Sequence, residues 1–203
     1  GRTRGAGTGG SEGHRAPFRG RRQRFAGEVS PGPRPCIRPL RGIVVPGMSA
    51  THFDLLSSWR IPAPIEQVWQ VLREPQHWPS WWPYVLALSE LEAGAATGVG
   101  ARHLVTWTSR LPYSLRLTTV VTEVVAPTRI EIAASGDLVG AGTWSLQPAG
   151  DRLTLVEYRW RVHLDKAWMR WLAPLLRPAF AWNHQAVMAA GETGLCRYLG
   201  ATG

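Results

Sequence analysis

His184 is the side chain with the clearest potential for acid–base chemistry in this sequence. Phe180, His184, Val187 and Met188 follow one another at helical spacings, which predicts one apolar stripe of a helix. Histidine titrates near neutral pH, so a histidine on such a stripe could act as a general base. The alternative is a hydrogen-bonded core residue, which is common for a lone histidine on an apolar face. The adjacent Asn183 could donate a hydrogen bond to a carbonyl group or simply border the stripe.

Two arginines, Arg102 and Arg116, lie in segments whose patterns predict central strands. If either side chain points inward, it is a buried cation that is costly without a paired acid or ligand, and it therefore indicates function. If it points outward, it resembles Arg159 and Arg161 on the charged face of the last predicted strand. The pattern alone leaves both orientations open.

The sequence lacks the common motifs of metal-binding, nucleotide-binding and membrane-spanning segments. The six histidines and two cysteines form no H-x-x-H, H-x-x-x-H, H-E-x-x-H or C-x-x-C, so we expect no metal. Neither G-x-G-x-x-G nor G-x-x-x-x-G-K-[ST] occurs, and we expect no nucleotide or other cofactor. No run of about 18 apolar residues is present, so we expect no membrane span.

Alternating residues predict an antiparallel sheet. One strand ends at Ile61, and six more are predicted between Val85 and Leu164. The clearest alternation runs from Leu153 to Leu164, where one face is apolar and aromatic and the other is mostly charged. This alternation is typical of a sheet that is covered on one side only.

Helical patterns flank the sheet. Between the first two strands, a short helix begins near Ile65 and a turn rich in tryptophan follows (Trp78, Trp81, Trp82). After the sheet, Pro174 and Pro178 are expected to separate a short helix from a long one over about 179–199. A long helix across a curved sheet leaves a cavity between the two.

The first 47 residues differ from the rest in composition. They hold ten arginines and two acidic residues, with many glycines and prolines and no hydrophobic periodicity, which predicts a disordered basic tail. We favour the interpretation that Met48 is the native start and that the tail is upstream sequence. A transit peptide and an arm that binds nucleic acid or an anionic membrane are the alternatives. Residues 48–203 have the length of one domain.

Four motifs resemble the START/SRPBCC superfamily, and within it the bacterial proteins similar to polyketide cyclases/dehydrases. They are I-P-A-P-x-E-x-V-W (61–69), W-P-x-W (78–81), G-V-G-A-R (98–102) and G-x-x-x-W-x-L-x-P (140–148). The resemblance covers about residues 52–199. It implies an α+β helix-grip fold: a seven-stranded curved antiparallel sheet wrapped around a long C-terminal helix, with two short helices after the first strand.

The resemblance also implies a deep hydrophobic cavity for lipids, polyketides or similar molecules, and catalysis in a minority of members. His184 would then be a candidate base for enolisation of a poly-ketone, and Arg102 or Arg116 would stabilise enolate charge. Aromatic rings and the helix stripe are the candidate ligand contacts. These candidates are Trp82, Tyr84, Trp107, Trp144, Tyr158, Trp160, Phe180, Asn183, His184, Val187 and Met188.

Two functions follow from this interpretation. The first is binding or transport of a hydrophobic small molecule without catalysis, favoured because the predicted cavity has few polar groups. The second is a polyketide cyclase or dehydrase that uses a histidine or arginine of the cavity. We expect a cytoplasmic monomer or homodimer, and we do not expect nucleic acid to be the partner.

Overall fold

The fold is built on one antiparallel sheet. A computed structural model describes residues 43–44, 52–110, 113–164 and 167–202 of the chain. The strands are β1 (Ile43–Val44), β2 (His52–Ile61), β3 (Val85–Glu92), β4 (Arg102–Trp107), β5 (Leu115–Val125), β6 (Arg129–Gly136), β7 (Leu138–Pro148) and β8 (Thr154–Leu164). Their order in the sheet is β1-β2-β8-β7-β6-β5-β4-β3, so β2 pairs with β8 and β3 forms one edge. Register shifts within β3 and β5 mark β-bulges, which bend strands and curve a sheet.

Side-chain alternation explains which face of the sheet is inward. In β8, Val156, Trp160 and Val162 are buried, whereas Arg159 and Arg161 are exposed. The paired strand β2 repeats this pattern with a period of two. One face therefore carries the core and the other faces solvent, as the sequence predicted for β8.

Helices pack against the sheet and contribute to the core. α1 (Ile65–Arg73) and α2 (Trp78–Trp81) are separated by a 3₁₀ turn at Pro75–His77. The long helix α3 extends from Ala167 to Thr202. Seven long strands, two short helices and a long C-terminal helix confirm the predicted helix-grip arrangement. None of the described helices is long and apolar enough to cross a membrane.

α3 corrects one prediction, because Pro174 and Pro178 do not divide it. A proline inside a helix removes one N–H bond and displaces the carbonyl four residues earlier, which weakens a helix without always ending it. The two prolines are four residues apart, so both perturbations fall on the same side of the helix. Strong helix formers such as leucine, alanine and arginine surround them. A single 36-residue helix results.

Tryptophan rings join the short helices to the sheet. Trp82, which follows α2, contacts Trp59 of β2 at 5.4 Å between ring centroids and Trp107 of β4 at 5.0 Å. Its indole is 1 % exposed, and Trp69 and Trp81 are also buried. The apolar surface concentrated between Trp69 and Trp82 is therefore covered by the domain core.

The first 47 residues were predicted to form a disordered tail. Within them, the two-residue strand β1 pairs with Leu55 and Leu56 of β2. Residues 1–42 and 45–51 lie outside the described part of the chain. The prediction for this segment, and the domain boundary at residue 48, therefore stay predictions.

Candidate functional site

A cavity of about 410 Å³ lies between the inner face of the sheet and α3. Its walls are mostly aromatic and aliphatic side chains. Ten of the eleven predicted ligand contacts line it: Trp82, Trp107, Trp144, Tyr158, Trp160, Phe180, Asn183, His184, Val187 and Met188. Exposed residues at the end of α1 and in the β3–β4 loop also line the cavity, so it opens to solvent on this side.

Tyr84 is the predicted contact that lies elsewhere. It belongs to the turn between α2 and β3, and its ring packs against the core rather than the cavity. Its carbonyl oxygen accepts a hydrogen bond from the Thr108 amide at 2.9 Å. The turn thus directs Tyr84 away from the cavity, whereas Trp82, two residues earlier, reaches it.

Arg102 and Arg116 do not face the cavity, which corrects the hypothesis that either is an inward cation. Arg102 Nη1 donates to Glu92 Oε1 at 2.6 Å on the outer face, where both side chains are largely exposed. Arg116 is exposed, and its backbone amide donates to Asp137 Oδ2 at 2.9 Å. Neither guanidinium can contact a ligand inside the sheet.

Strand parity explains this error and reveals a residue that was missed. Positions separated by an odd number along a regular strand lie on opposite faces. β4 pairs with β5 without a register shift, so Trp107 in the cavity requires Arg102 to point outward. The same rule turns His103 inward, four residues before Trp107. Trp107 was the sequence signal that could have identified His103.

His103 introduces a polar group into the cavity wall. Its side chain is buried, and its Nε2 lies 4.0 Å from Glu90 Oε2 on the paired strand β3. Burial lowers the pKa of His103, while the negative charge of Glu90 acts in the opposite direction. Both residues line the cavity near its opening, so a ligand can meet hydrogen-bonding groups there.

His184 lines the cavity from α3. Its Nε2 lies 3.2 Å from the hydroxyl of Ser57, a buried residue on the inner face of β2. Burial lowers the pKa of His184 to about 4, so its imidazole is neutral at neutral pH. Because Ser57 occupies Nε2, Nδ1 is the nitrogen left for a ligand. A neutral histidine with so low a pKa is a weak general base and a good hydrogen-bonding group.

Aromatic rings stack along one wall above a glycine. The Tyr158 ring lies 4.1 Å from that of Trp144 and 5.8 Å from that of Trp160, measured between centroids. A Cβ atom at Gly142 would lie 2.5 Å from the Tyr158 hydroxyl and 2.8 Å from the Trp160 ring. Glycine at this position therefore provides the space in which these two rings lie against the sheet.

The β4–β5 loop borders the opposite end of the cavity and is held to α3. The Arg110 amide donates to Asn183 Oδ1 at 3.1 Å, and the Arg110 guanidinium lies 5.3 Å from the centroid of the Trp182 ring. Tyr113 contacts Phe180 edge-on, and burial raises the pKa of Tyr113 to about 12. The loop residues Ser109 and Tyr113, which the sequence did not single out, line the cavity.

Metal binding finds no support in the described part of the chain. No three histidine, cysteine, aspartate or glutamate side chains there are grouped in a way that could hold an ion. The site is therefore described by its cavity, its aromatic walls and a few hydrogen-bonding groups.

A curved sheet that wraps around a long helix and encloses such a cavity is a helix-grip fold. Residues 53–193 match the family model described as polyketide cyclase/dehydrase and lipid transport. The chain belongs to this family. No curated protein matches the sequence.

Solved structures share the fold. The Zhui aromatase/cyclase from a Streptomyces species has a TM-score of 0.60 and 13 % identity, over 72 % of this chain and 93 % of that one. A START superfamily protein from Mycobacterium smegmatis has a TM-score of 0.59 and 15 % identity, over 72 % and 98 % of the two chains. A protein from Rhodobacter sphaeroides has a TM-score of 0.50 and 22 % identity, over 79 % and 98 %. At these identities the similarity establishes the fold.

Proposed function

We propose that the protein binds or transports a hydrophobic small molecule, such as a lipid or polyketide, in its cavity without transforming it. The observation that carries the proposal is the cavity of about 410 Å³ with aromatic and aliphatic walls. Small-molecule sites are commonly of this size and this apolar character. The family description, which includes lipid transport, supports the same function.

Apolar contact is enough to provide affinity at such a site. Burial of apolar surface contributes roughly 25 cal/mol per Å², so a ligand burying about 300 Å² gains roughly 7 kcal/mol. Part of this is lost to the restricted motion of the bound ligand. Trp144, Tyr158 and Trp160 together line one wall and offer aromatic surface to an apolar ligand.

The charge state of the cavity argues against acid–base catalysis as the main function. His184 is neutral at neutral pH and too weakly basic to remove a carbon-bound proton efficiently. The two candidate arginines cannot stabilise enolate charge either, because both are on the outer face. Binding needs neither group.

A polyketide cyclase or dehydrase is the second candidate. Two histidines, His103 and His184, line the same cavity, and the family description includes both activities. An enzyme of this kind would use one imidazole to move a proton at a ketone substrate. A poly-ketone that is bound but returned unchanged after long incubation would favour the carrier over the enzyme.

Native mass spectrometry of protein purified from its own host tests the proposed function. We expect an apolar small molecule to remain bound at one copy per chain and to be released on denaturation. Protein denatured and refolded without lipid provides the matched control, and it should lack the extra mass. If host-derived protein carries no ligand and apolar probes do not bind it, the proposed function is wrong.

The proposal extends to the cellular location, the oligomeric state and the partners of the protein. We infer a cytoplasmic monomer or homodimer whose partner is the ligand rather than nucleic acid. Light scattering on purified protein measures the oligomeric state. Ligand binding should survive deletion of residues 1–47, and an effect of the deletion on DNA or RNA binding would assign a separate role to that segment.

A further inference from the structure

The end of the cavity bordered by the β4–β5 loop holds a buried hydroxyl with no partner. Tyr113 lines the cavity, and its hydroxyl oxygen is shielded from solvent without a hydrogen bond to any described residue. Buried polar groups are normally satisfied, so this hydroxyl is an exception that needs an explanation. A ligand oxygen within the cavity would supply the missing partner.

A second polar group at this end has a fixed orientation. Asn183 is buried on α3, and its Oδ1 accepts the backbone N–H of Arg110 at 3.1 Å. An N–H can bond only to the oxygen of the amide, so this contact determines which end of the side chain is the oxygen. The NH₂ group of Asn183 is therefore the part that can serve a ligand, and it can only donate.

The two groups belong to one end of the cavity. Tyr113 contacts Phe180, which lies one turn before Asn183 on α3. Asn183 in turn holds Arg110 of the loop that carries Tyr113. The nearby Ser109 hydroxyl already donates to the Tyr113 carbonyl oxygen at 3.4 Å. Its proton is therefore used within the loop, whereas no described acceptor takes the proton of the Tyr113 hydroxyl.

We propose that the Tyr113 hydroxyl and the Asn183 NH₂ group form a subsite for a hydrogen-bond acceptor, which selects apolar ligands carrying a carbonyl oxygen at one end. A carbonyl oxygen has two lone pairs and can accept both hydrogen bonds. A hydrocarbon of the same shape leaves both donors unsatisfied. This inference rests on the proposed function, since it names the chemistry of the ligand in the same cavity.

Calorimetric titration with a matched pair of probes tests the subsite. Fluorenone and fluorene have nearly the same size and shape, and only fluorenone carries a carbonyl group. We expect the wild-type protein to bind fluorenone about 5- to 10-fold more tightly than fluorene, the effect of one to two neutral hydrogen bonds. Tyr113→Phe should reduce this preference to about twofold or less without changing the dissociation constant for fluorene.

Two further variants test whether the preference for fluorenone depends on the proposed subsite. Tyr84→Phe removes a tyrosine hydroxyl outside the cavity and should leave both dissociation constants unchanged. Asn183→Asp keeps the acceptor for the Arg110 amide but replaces the NH₂ donor with oxygen, so it should also lower the preference for fluorenone. Thermal unfolding of each variant verifies that it is folded.

The outcomes separate this inference from the function on which it rests. Equal affinity of the wild-type protein for both probes, or an undiminished preference in Tyr113→Phe, would overturn the acceptor subsite and leave the apolar cavity intact. Binding of neither probe, together with host-derived protein that carries no ligand, would overturn the proposed function as well. A preference that depends on Tyr113 but not on Tyr84 supports both.

Discussion

The indole of Trp82 lies directly against Gly191 of α3. A Cβ atom at Gly191 would lie 2.5 Å from Trp82 Cε2, well inside the normal contact distance. The indole Nε1 donates to the Val187 carbonyl oxygen at 2.9 Å, one turn earlier on the same helix. Trp82 therefore joins α2 to α3 through a close backbone approach and a hydrogen bond, at the wall of the cavity.

Replacing Gly191 with alanine should destabilise the fold. Overpacking typically costs about 1–3 kcal/mol, which exceeds the gain in helix propensity of up to about 1 kcal/mol. We expect the free energy of unfolding to fall by roughly 1 kcal/mol or more, measured by urea denaturation. The exposed Gly200 on the same helix is the matched control, and Gly200→Ala should keep or raise stability. A Gly191→Ala protein as stable as wild type would contradict the packing described for Trp82.

Filling part of the cavity should weaken ligand binding. Ile132 of β6 lines the cavity and is partly exposed within it, so Ile132→Trp places an indole in the ligand space. Phenylnaphthylamine, an apolar dye whose fluorescence increases in apolar surroundings, reports occupancy. Its affinity should fall roughly tenfold or more, a loss of at least about 1.4 kcal/mol.

Leu104→Trp adds the same side chain to the outer face of β4 and serves as the control. It should bind the dye like the wild-type protein. Equal loss of binding in both variants would mean that the effect is general destabilisation, and unchanged binding in Ile132→Trp would mean that the dye binds elsewhere.

Stability should decline in mild acid because of His184. Its folded-state pKa of about 4 lies below the usual value near 6.5, so the unfolded state binds the additional proton in this interval. The free energy of unfolding should therefore fall as pH decreases from about 6.5 to about 4, by on the order of 3 kcal/mol. Urea denaturation across this pH range measures the slope.

His184→Gln should flatten this slope without removing it, since burial also lowers the pKa of His103. An unchanged slope in His184→Gln would show that His184 is not buried in its neutral form.

Removing the outward arginines should leave ligand binding intact. Arg102 pairs with Glu92 at the surface, and exposed ion pairs contribute about 0–1 kcal/mol to stability. Arg102→Ala and Arg116→Ala should therefore bind phenylnaphthylamine with the wild-type dissociation constant. Loss of binding in either variant, with normal thermal unfolding, would contradict the outward orientation.

The parts of the fold set by regular periodicity could be predicted from the sequence. The alternation of β8 and the helical spacing of Ile65, Val68, Trp69 and Leu72 directly encode which side faces the core, and the structure buries these positions. The stripe on α3 identified Phe180, Val187 and Met188 as cavity residues for the same reason.

The sequence failed to predict side-chain positions that are determined by contacts between distant residues. Counting from Trp107 separates Arg102 from His103 only if β4 is regular, and the pairing of β4 with β5 without a register shift is what decides that. Tyr113 belongs to a loop whose position depends on the contact between Arg110 and Asn183, 73 residues apart. No local periodicity reports such a contact, so the sequence did not indicate Tyr113.

Strand β2 pairs with β8, a strand that is synthesised much later. Its pairing with β8 joins residues from 93 apart (Ile61 and Thr154) to 111 apart (His52 and His163). Contacts between such distant residues slow folding, because a long loop must close before they form. During translation, the ribosome must therefore release nearly the whole domain before β2 can pair with β8, and the apolar inner face of β2 is until then a surface for chaperones.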